Sequence, residues 1–185
     1  RYSIVPQGTS AELVAKRYGL KREELDAFSL ESHRRAAAAQ DGGWFDGEIA
    51  AVGEVRRDEG IRRDSTIERL AKLKPAFQAD GVITAASSSQ ISDGAAAVLL
   101  ASEAAVKRYA LKPRARIVSM ATAGVDPTIM LTAPIPATRK ALAQAGLGIG
   151  DIDAIEINEA FASVVLGCGR ALEFDFAKTN VHGGA

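Results

Sequence analysis

At 185 residues, the chain has room for one domain or one and a half, at roughly 150 residues each, and for a substantial buried core. Apolar residues make up 47% and charged residues 25%, close to the globular average. Lys plus Arg and Asp plus Glu both number 23, so the net charge is zero, and neither a nucleic-acid surface nor an acidic disordered tail is indicated.

The N-terminus, Arg1-Tyr2-Ser3, carries no initiator Met and no signal-peptide pattern, and reads as a segment cut from something longer. Ser10 is expected to cap a helix from Ala11 to Tyr18, which Gly19 ends. A second helix is predicted from about Arg22 to Gln40. Leu25, Phe28, Ser29, Ser32, Ala36 and Ala39 recur there at helical spacing, and Gly42 and Gly43 stop it. Trp44 to Arg63 is polar and glycine-containing and is expected to be loop. Thr66 caps a short helix to Leu73, closed by Pro75.

The character changes near Asp80. Short β-like runs (Val82 to Thr84, Ala95 to Ala101, Ala115 to Ala123, Ala154 to Ile157) alternate with helical segments (Ser102 to Ala110, Ile135 to Ala145, Glu159 to Leu172). Pro136 falls in the first turn of one helix and Gly146 ends it. Such alternation predicts an α/β layered architecture. The run Ala95 to Leu100 is apolar on both faces, so it is expected to be a strand buried between layers.

Three segments could carry chemistry. Thr84 to Ala95 places small hydroxyl residues before a glycine. It could hydrogen-bond the amides or phosphates of a ligand, or simply form a small-residue turn packed between layers. In Ile155 to Ala162 a strand is expected to end and a helix to start at Asn158. Ligands in α/β folds gather at such strand ends, and an Asn there could hold a water or a carbonyl oxygen, or be a plain N-cap. The terminal stretch Asn180 to Ala185 has paired glycines, which permit close backbone approach or positive φ.

Other candidates are weaker. His33 sits mid-helix beside Arg34 and Arg35 and reads as part of a solvated face. Cys168, the only cysteine, lies in an apolar run and reads as a small buried hydrophobe rather than an activated thiolate. One cysteine excludes an internal disulfide and a cysteine-based zinc site and fits a reducing, cytoplasmic setting. No metal-ligand spacing, phosphate-binding glycine loop or Ser/His/Asp order is present. The longest apolar stretch is far short of the ~20 residues that span a bilayer.

Taken together, the motifs and their order resemble the thiolase family over essentially the whole chain. The blocks that carry the likeness include Gln7 to Glu12, Arg22 to Phe28, Asp58 to Arg62, Leu73 to Phe77, Asp93 to Ala97, Gly124 to Pro127, Pro134 to Leu142, Asn158 to Ala162 and Asn180 to Ala185. The resemblance implies a layered αβαβα fold, present in part, with a mainly helical loop domain at the N-terminal side that binds coenzyme A. Residues 1–89 would be the later part of that loop domain. Residues 90–112 would be the last strand and helix of the N-terminal half, and 113–185 the start of the C-terminal half.

The resemblance also implies roles. Ser89 matches the serine that contacts pantetheine. Arg62 and Phe77 match loop-domain positions near the adenine and pantetheine, and Ala85, Ala160 and Phe161 line the same tunnel. Asn158 matches the asparagine that holds a water in an oxyanion hole. The implied activity is acyl transfer between coenzyme A thioesters through a cysteine acyl-enzyme. Acyl-CoA and coenzyme A would be substrates rather than bound cofactors. A homo-oligomer, dimer or tetramer, would be the working form, with no metal, nucleic-acid or membrane partner.

Departures from the pattern are equally specific. The family's nucleophilic cysteine would lie upstream of Arg1, and its Gly-His-Pro histidine and second cysteine downstream of Ala185. The 185-residue chain alone is therefore expected to be inactive. His182 stands where the family usually has Asn. Ser87, Gln90 and Ser92 replace the commoner Asn, Gly and Asn of the coenzyme A loop. The absent catalytic residues leave two alternatives open: a non-catalytic thioester- or lipid-binding paralogue, or a structural subunit paired with an active thiolase.

Overall fold

The structure is a computed structural model and describes residues 2–184. Arg1, and Ala185 at the end of the terminal block, lie outside the described residues.

Local sequence explains the helices. Helix α1 spans Gln7–Arg17, beginning a turn before the expected Ser10 cap. Pro6 supplies the entry instead: its ring fixes φ near −55°, and its carbonyl accepts the Ser10 N–H. Ser10 therefore lies inside the helix, fully buried. Helix α2 spans Arg22–Asp41. The Glu24 carboxylate accepts the Lys21 N–H at 2.9 Å, closing the first turn where a negative charge also meets the helix dipole. The Thr66 hydroxyl caps α3 (Ile67–Leu70), and the Ser102 hydroxyl caps α4 (Glu103–Arg108). Helix α5, Pro134–Ala145, starts on proline and ends at Gly146 in the left-handed conformation. Three 3₁₀ segments, Pro127–Thr132 with a kink at Ile129, Ile149–Asp151 and Phe176–Lys178, were not legible in the apolar pattern.

Helix α6 spans Ala162–Leu172 and is apolar nearly all round, so it becomes the centre of the core. Val165 and Cys168 on α6 pack with Ala11 and Ala15 of α1, Leu25 of α2, and Ile83 and Phe161 from the connecting segments. The Ser163 hydroxyl donates to the Ala11 carbonyl across the α1–α6 contact.

The expected strands do not form ladders. Among the described residues only isolated bridges occur: Val52 with Val55, Ser88 with Phe161, and Ile155 with Thr179. Residues 95–101, read from sequence as a buried strand, are exposed, with Val98 at 84% and Leu99 at 80%. Residues 115–123 are likewise largely open, Val118 and Met120 included. The reason is physical. A helix satisfies its backbone within its own segment, whereas a strand needs a neighbouring edge. The described residues offer these runs no such edge, so they stay unpaired.

No helix of the described residues is long and apolar enough to cross a membrane. No cluster of three or more His, Cys, Asp or Glu that could hold a metal ion occurs among them.

Candidate functional site

The site is assembled by turns and side-chain bonds rather than by a sheet. Its first wall starts at Glu12 on α1, a buried carboxylate that accepts the N–H groups of Val82 and Ile83 at 2.9 and 3.0 Å. Chain beyond Ile83 then folds on its own hydroxyls. The Thr84 N–H donates to Ser87 Oγ at 2.9 Å, Ala86 N–H donates to Thr84 Oγ1 at 3.2 Å, and Ser88 Oγ donates to the Thr84 carbonyl at 2.7 Å. Ser87, one of the departures from the family pattern, is thus a buried turn-former. Its task is backbone satisfaction, the work Ser and Thr do well in tight turns.

This turn is sewn to the second wall. The Ser89 N–H donates to the Ala160 carbonyl at 3.0 Å, and the Ala162 N–H donates to the Ser87 carbonyl at 3.0 Å. Two segments some seventy residues apart in sequence are thereby held side by side. Asn158 lies in the second. It is not at a strand-to-helix junction, as the sequence suggested: the strand is reduced to the Ile155 bridge, and α6 begins only at Ala162 after an extended Phe161. The N-cap reading fails with it. Asn158 is instead exposed in the connection that precedes α6.

That connection is fixed by Asn180. Asn180 is 2% exposed and turns its backbone to φ 45°. Its Oδ1 accepts the Ile157 N–H at 2.9 Å, and its Nδ2 donates to the Ile157 carbonyl at 2.9 Å and to Glu159 Oε1 at 2.7 Å. The backbone N–H of Asn180 meets the Ile155 carbonyl at 2.9 Å. Once the chain turns left-handed at 180, its backbone cannot pair further with residue 157. The carboxamide continues the pairing in its place. Arg35 of α2 donates to the Thr179 carbonyl at 2.7 Å from behind.

The paired glycines perform both tasks foreseen for them. Gly183 has φ 81°, and a Cβ there would sit 2.6 Å from the Ser32 carbonyl oxygen. A Cβ on Gly184 would meet Glu159 Cδ at 2.2 Å. The Gly184 N–H donates to Ser32 Oγ at 3.1 Å. His182 between these turns packs on Trp44, ring centroids 5.1 Å apart, and meets Phe45 edge-on.

Between the walls lies a cleft of about 1350 Å³. Ala85, Ser89 and Arg62 line it, as do Glu159 and Ala162. Asn158, Ala160, Phe161 and Phe77 are not part of its lining. Ala160 contributes its carbonyl to the Ser89 bond. Phe161 is buried in the core at 6% exposure, and Phe77 packs edge-to-face on it with centroids 5.8 Å apart. The structure thus gathers Ala85, Ser89 and Arg62 around one space and leaves both phenylalanines outside its lining.

His33 corrects a sequence reading. It is partly buried and lines the cleft, and its Nδ1 accepts the Arg62 N–H at 3.2 Å. Burial, and after it the Arg62 charge, lowers its pKa and favours the neutral ring that this bond needs. The signal was present: Ser29, Ser32, His33 and Ala36 share one side of α2 and all line the cleft. Burial pushes the Cys168 thiol up to about 11, so it is the inert core residue its apolar surroundings predicted. In the sequence Glu12 and Asn180 stand only within longer motifs. Nothing in their local spacing marks them as the groups that hold the two walls.

The chain is similar to known proteins over nearly its whole length. The profile of the thiolase N-terminal domain matches residues 2–104 and that of the thiolase C-terminal domain residues 111–185. The steroid 3-ketoacyl-CoA thiolase of Mycobacterium tuberculosis is 51% identical over 185 residues, covering 98% of this chain and 45% of the relative. An acetyl-CoA acetyltransferase of Pseudomonas aeruginosa is 49% identical, covering 96% and 48%. The crystal structure of human mitochondrial 3-ketoacyl-CoA thiolase in complex with CoA superposes with a TM-score of 0.95 at 44% identity, over 98% of this chain and 47% of that one. The chain therefore has the thiolase fold over its length and spans about half the length of the curated relatives it matches.

Proposed function

Because the chain belongs to the thiolase family, we propose that the whole protein transfers acyl groups between coenzyme A thioesters, by thiolysis of a 3-ketoacyl-CoA or by Claisen condensation. The observation that carries the proposal is the 3.0 Å bond from the Ser89 N–H to the Ala160 carbonyl. It joins the segment suited to holding pantetheine to the segment bearing Asn158, at the edge of a cleft large enough for an extended thioester. Pocket volumes of ~300–1,000 Å³ hold drug-sized ligands.

In this reading a cysteine thiolate outside these 185 residues forms the acyl-enzyme: in condensation it attacks a thioester carbonyl and expels coenzyme A thiolate, and in thiolysis it attacks the 3-keto carbonyl, breaking the C2–C3 bond and expelling the carbanion of the shorter acyl-CoA, which takes up a proton. The acyl group then passes to the carbanion of a second thioester in condensation, or to coenzyme A thiolate in thiolysis, and the cysteine thiolate is released. Negative charge develops on the thioester oxygen as the carbanion forms. The Asn158 carboxamide is exposed and has no side-chain hydrogen bond among the described residues, so it is free to hold a water that stabilises that oxygen. Ser89 and Ala85 flank the pantetheine arm, Arg62 faces the anionic nucleotide, and Phe77, Ala160 and Phe161 shape the wall from behind. The same reading assigns residues 1–89 to the coenzyme A-binding loop domain and 90–112 and 113–185 to the two halves. The exposed runs 95–101 and 115–123 become buried strands of the αβαβα layers, and the protein works as a cytoplasmic homo-oligomer.

The test is thiolysis of acetoacetyl-CoA by the whole protein. Asn158→Ala is expected to lower kcat about 100- to 1,000-fold, the usual cost of one oxyanion donor, with KM for coenzyme A nearly unchanged. Undiminished turnover in that variant would remove Asn158 from the mechanism. Absence of any thiolysis by the unmodified protein would favour a non-catalytic thioester-binding role.

A further inference from the structure

One contact spans the cleft and is not accounted for by the acyl-transfer chemistry. Gln90 follows Ser89 directly, and its carboxamide reaches across to the loop at 58–62. Its Nε2 donates to the Gly60 carbonyl at 2.6 Å, and its Oε1 accepts from Arg62 Nη2 at 3.2 Å. A Cβ at Gly60 would lie 3.0 Å from Gln90 Nε2, so the approach is close.

The loop it reaches is tethered on its other side as well. Gln40 Nε2 of α2 donates to the Asp58 carbonyl at 3.0 Å, the Gly60 N–H donates to Asp58 Oδ1 at 2.7 Å, and the Arg62 N–H donates to His33 Nδ1 at 3.2 Å. Helix α2 therefore sets where the 58–62 backbone lies. Without Gln90, however, nothing among the described residues holds the Arg62 guanidinium: its contact with Gln90 is the one side-chain bond Arg62 makes there. A guanidinium is a rigid fork that recognises phosphate by orientation as well as charge. An exposed Arg left to rotate loses much of that advantage to side-chain entropy.

We propose that Gln90 is a positioning residue: its carboxamide clips the 58–62 loop to the Ser89 turn and aims Arg62 at the phosphate-bearing end of the substrate. The proposal rests on the coenzyme A reading of the cleft, and it adds a residue whose effect depends on which part of the substrate is present. Removing the clip penalises ligands that carry the nucleotide. Ligands ending at pantetheine never meet Arg62 and are spared.

The experiment is steady-state thiolysis by the whole protein with two substrates, acetoacetyl-CoA and S-acetoacetyl-pantetheine, each with its matching thiol. Gln90→Ala is expected to raise KM about 5- to 20-fold for the coenzyme A substrate and less than twofold for the pantetheine substrate. Gln90→Glu keeps the size of the side chain but sets a carboxylate against the Gly60 carbonyl and neutralises Arg62, so it is expected to show the same selective loss. In an Arg62→Ala background, Gln90→Ala should add nothing. Equal loss on both substrates, or an undiminished Gln90 effect in the Arg62→Ala background, would overturn the clip while leaving the coenzyme A reading intact. If the unmodified protein used neither substrate and did not bind coenzyme A, the coenzyme A reading would fall instead, and the clip with it.

Discussion

Replacing Asn180 by Ala should be among the most damaging single changes in this chain. The substitution deletes three side-chain hydrogen bonds, two to the Ile157 backbone and one to Glu159. A net hydrogen bond is worth about 1 kcal/mol, and the Ile157 N–H and carbonyl lose their partners in a partly buried place, which adds to the loss. Ala is also poorly suited to φ 45°, a conformation Asn tolerates, at a further cost of about 1 kcal/mol. The sum is roughly 3–5 kcal/mol. With a urea m-value of about 2 kcal/mol/M the midpoint should fall by ~2 M. Asn180→Gly removes the same bonds but relieves the backbone, so it should be the milder variant by about 1 kcal/mol. Equilibrium urea unfolding of the whole protein, followed by circular dichroism, measures both. A loss below about 1 kcal/mol in the Ala variant, or equal losses in Ala and Gly, would show that the carboxamide does not stand in for a peptide group there.

Glu12→Gln should cost ~1–3 kcal/mol, because the amide nitrogen would face one of the two N–H groups of Val82 and Ile83 that the carboxylate now accepts; thermal unfolding reads it, and an unchanged Tm would remove Glu12 as the anchor of the first wall. His33 has a folded-state pKa below its ordinary value, from burial first and the Arg62 charge second. The unfolded chain therefore binds the proton at higher pH, so this contribution to stability falls as pH drops below about 6.5 and levels off below the folded pKa. The urea midpoint should decrease from pH 7.5 to pH 5, and His33→Asn, which keeps a neutral acceptor at all pH values, should lessen the decrease. Cys168, buried and with its pKa pushed up to about 11, should resist iodoacetamide at pH 8 in the folded protein and react once denatured; rapid labelling of the native state would contradict its place in the core.

Legibility from sequence followed the range of the forces involved. Helices α1, α2 and α5 were readable because their signals are local: apolar spacing, a proline at the start and a glycine at the end. The misplacement of the Ser10 cap has the same origin. A serine and a proline four residues apart both offer a start, and the proline wins because it constrains φ outright. The β-like runs at 95–101 and 115–123 find no partner strand among the described residues. Alternation and apolarity report what a segment could bury, and pairing depends on an edge that no local pattern reveals.

The candidate site divides along the same line. Ser89, Ala85 and Arg62 could be named from motif order, and they do share one cleft. What brings them together could not be named. Glu12 reaches Ile83 over 71 residues, Asn180 reaches Ile157 over 23, and Arg35 reaches Thr179 over 144. Each is a polar side chain satisfying a distant backbone group, and composition gives no hint of the partner. Such bonds stand where a sheet would otherwise supply the order, and they act on the turns rather than on the helices. The helical core set by α1, α2 and α6 should therefore tolerate changes in the site loops. Loss of a single carboxylate or carboxamide should release a whole wall of the cleft while the helix content stays. Circular dichroism that is unchanged alongside lost thiolysis in Glu12→Gln is the expected pattern; concerted loss of both would mean that the walls and the core form one cooperative unit.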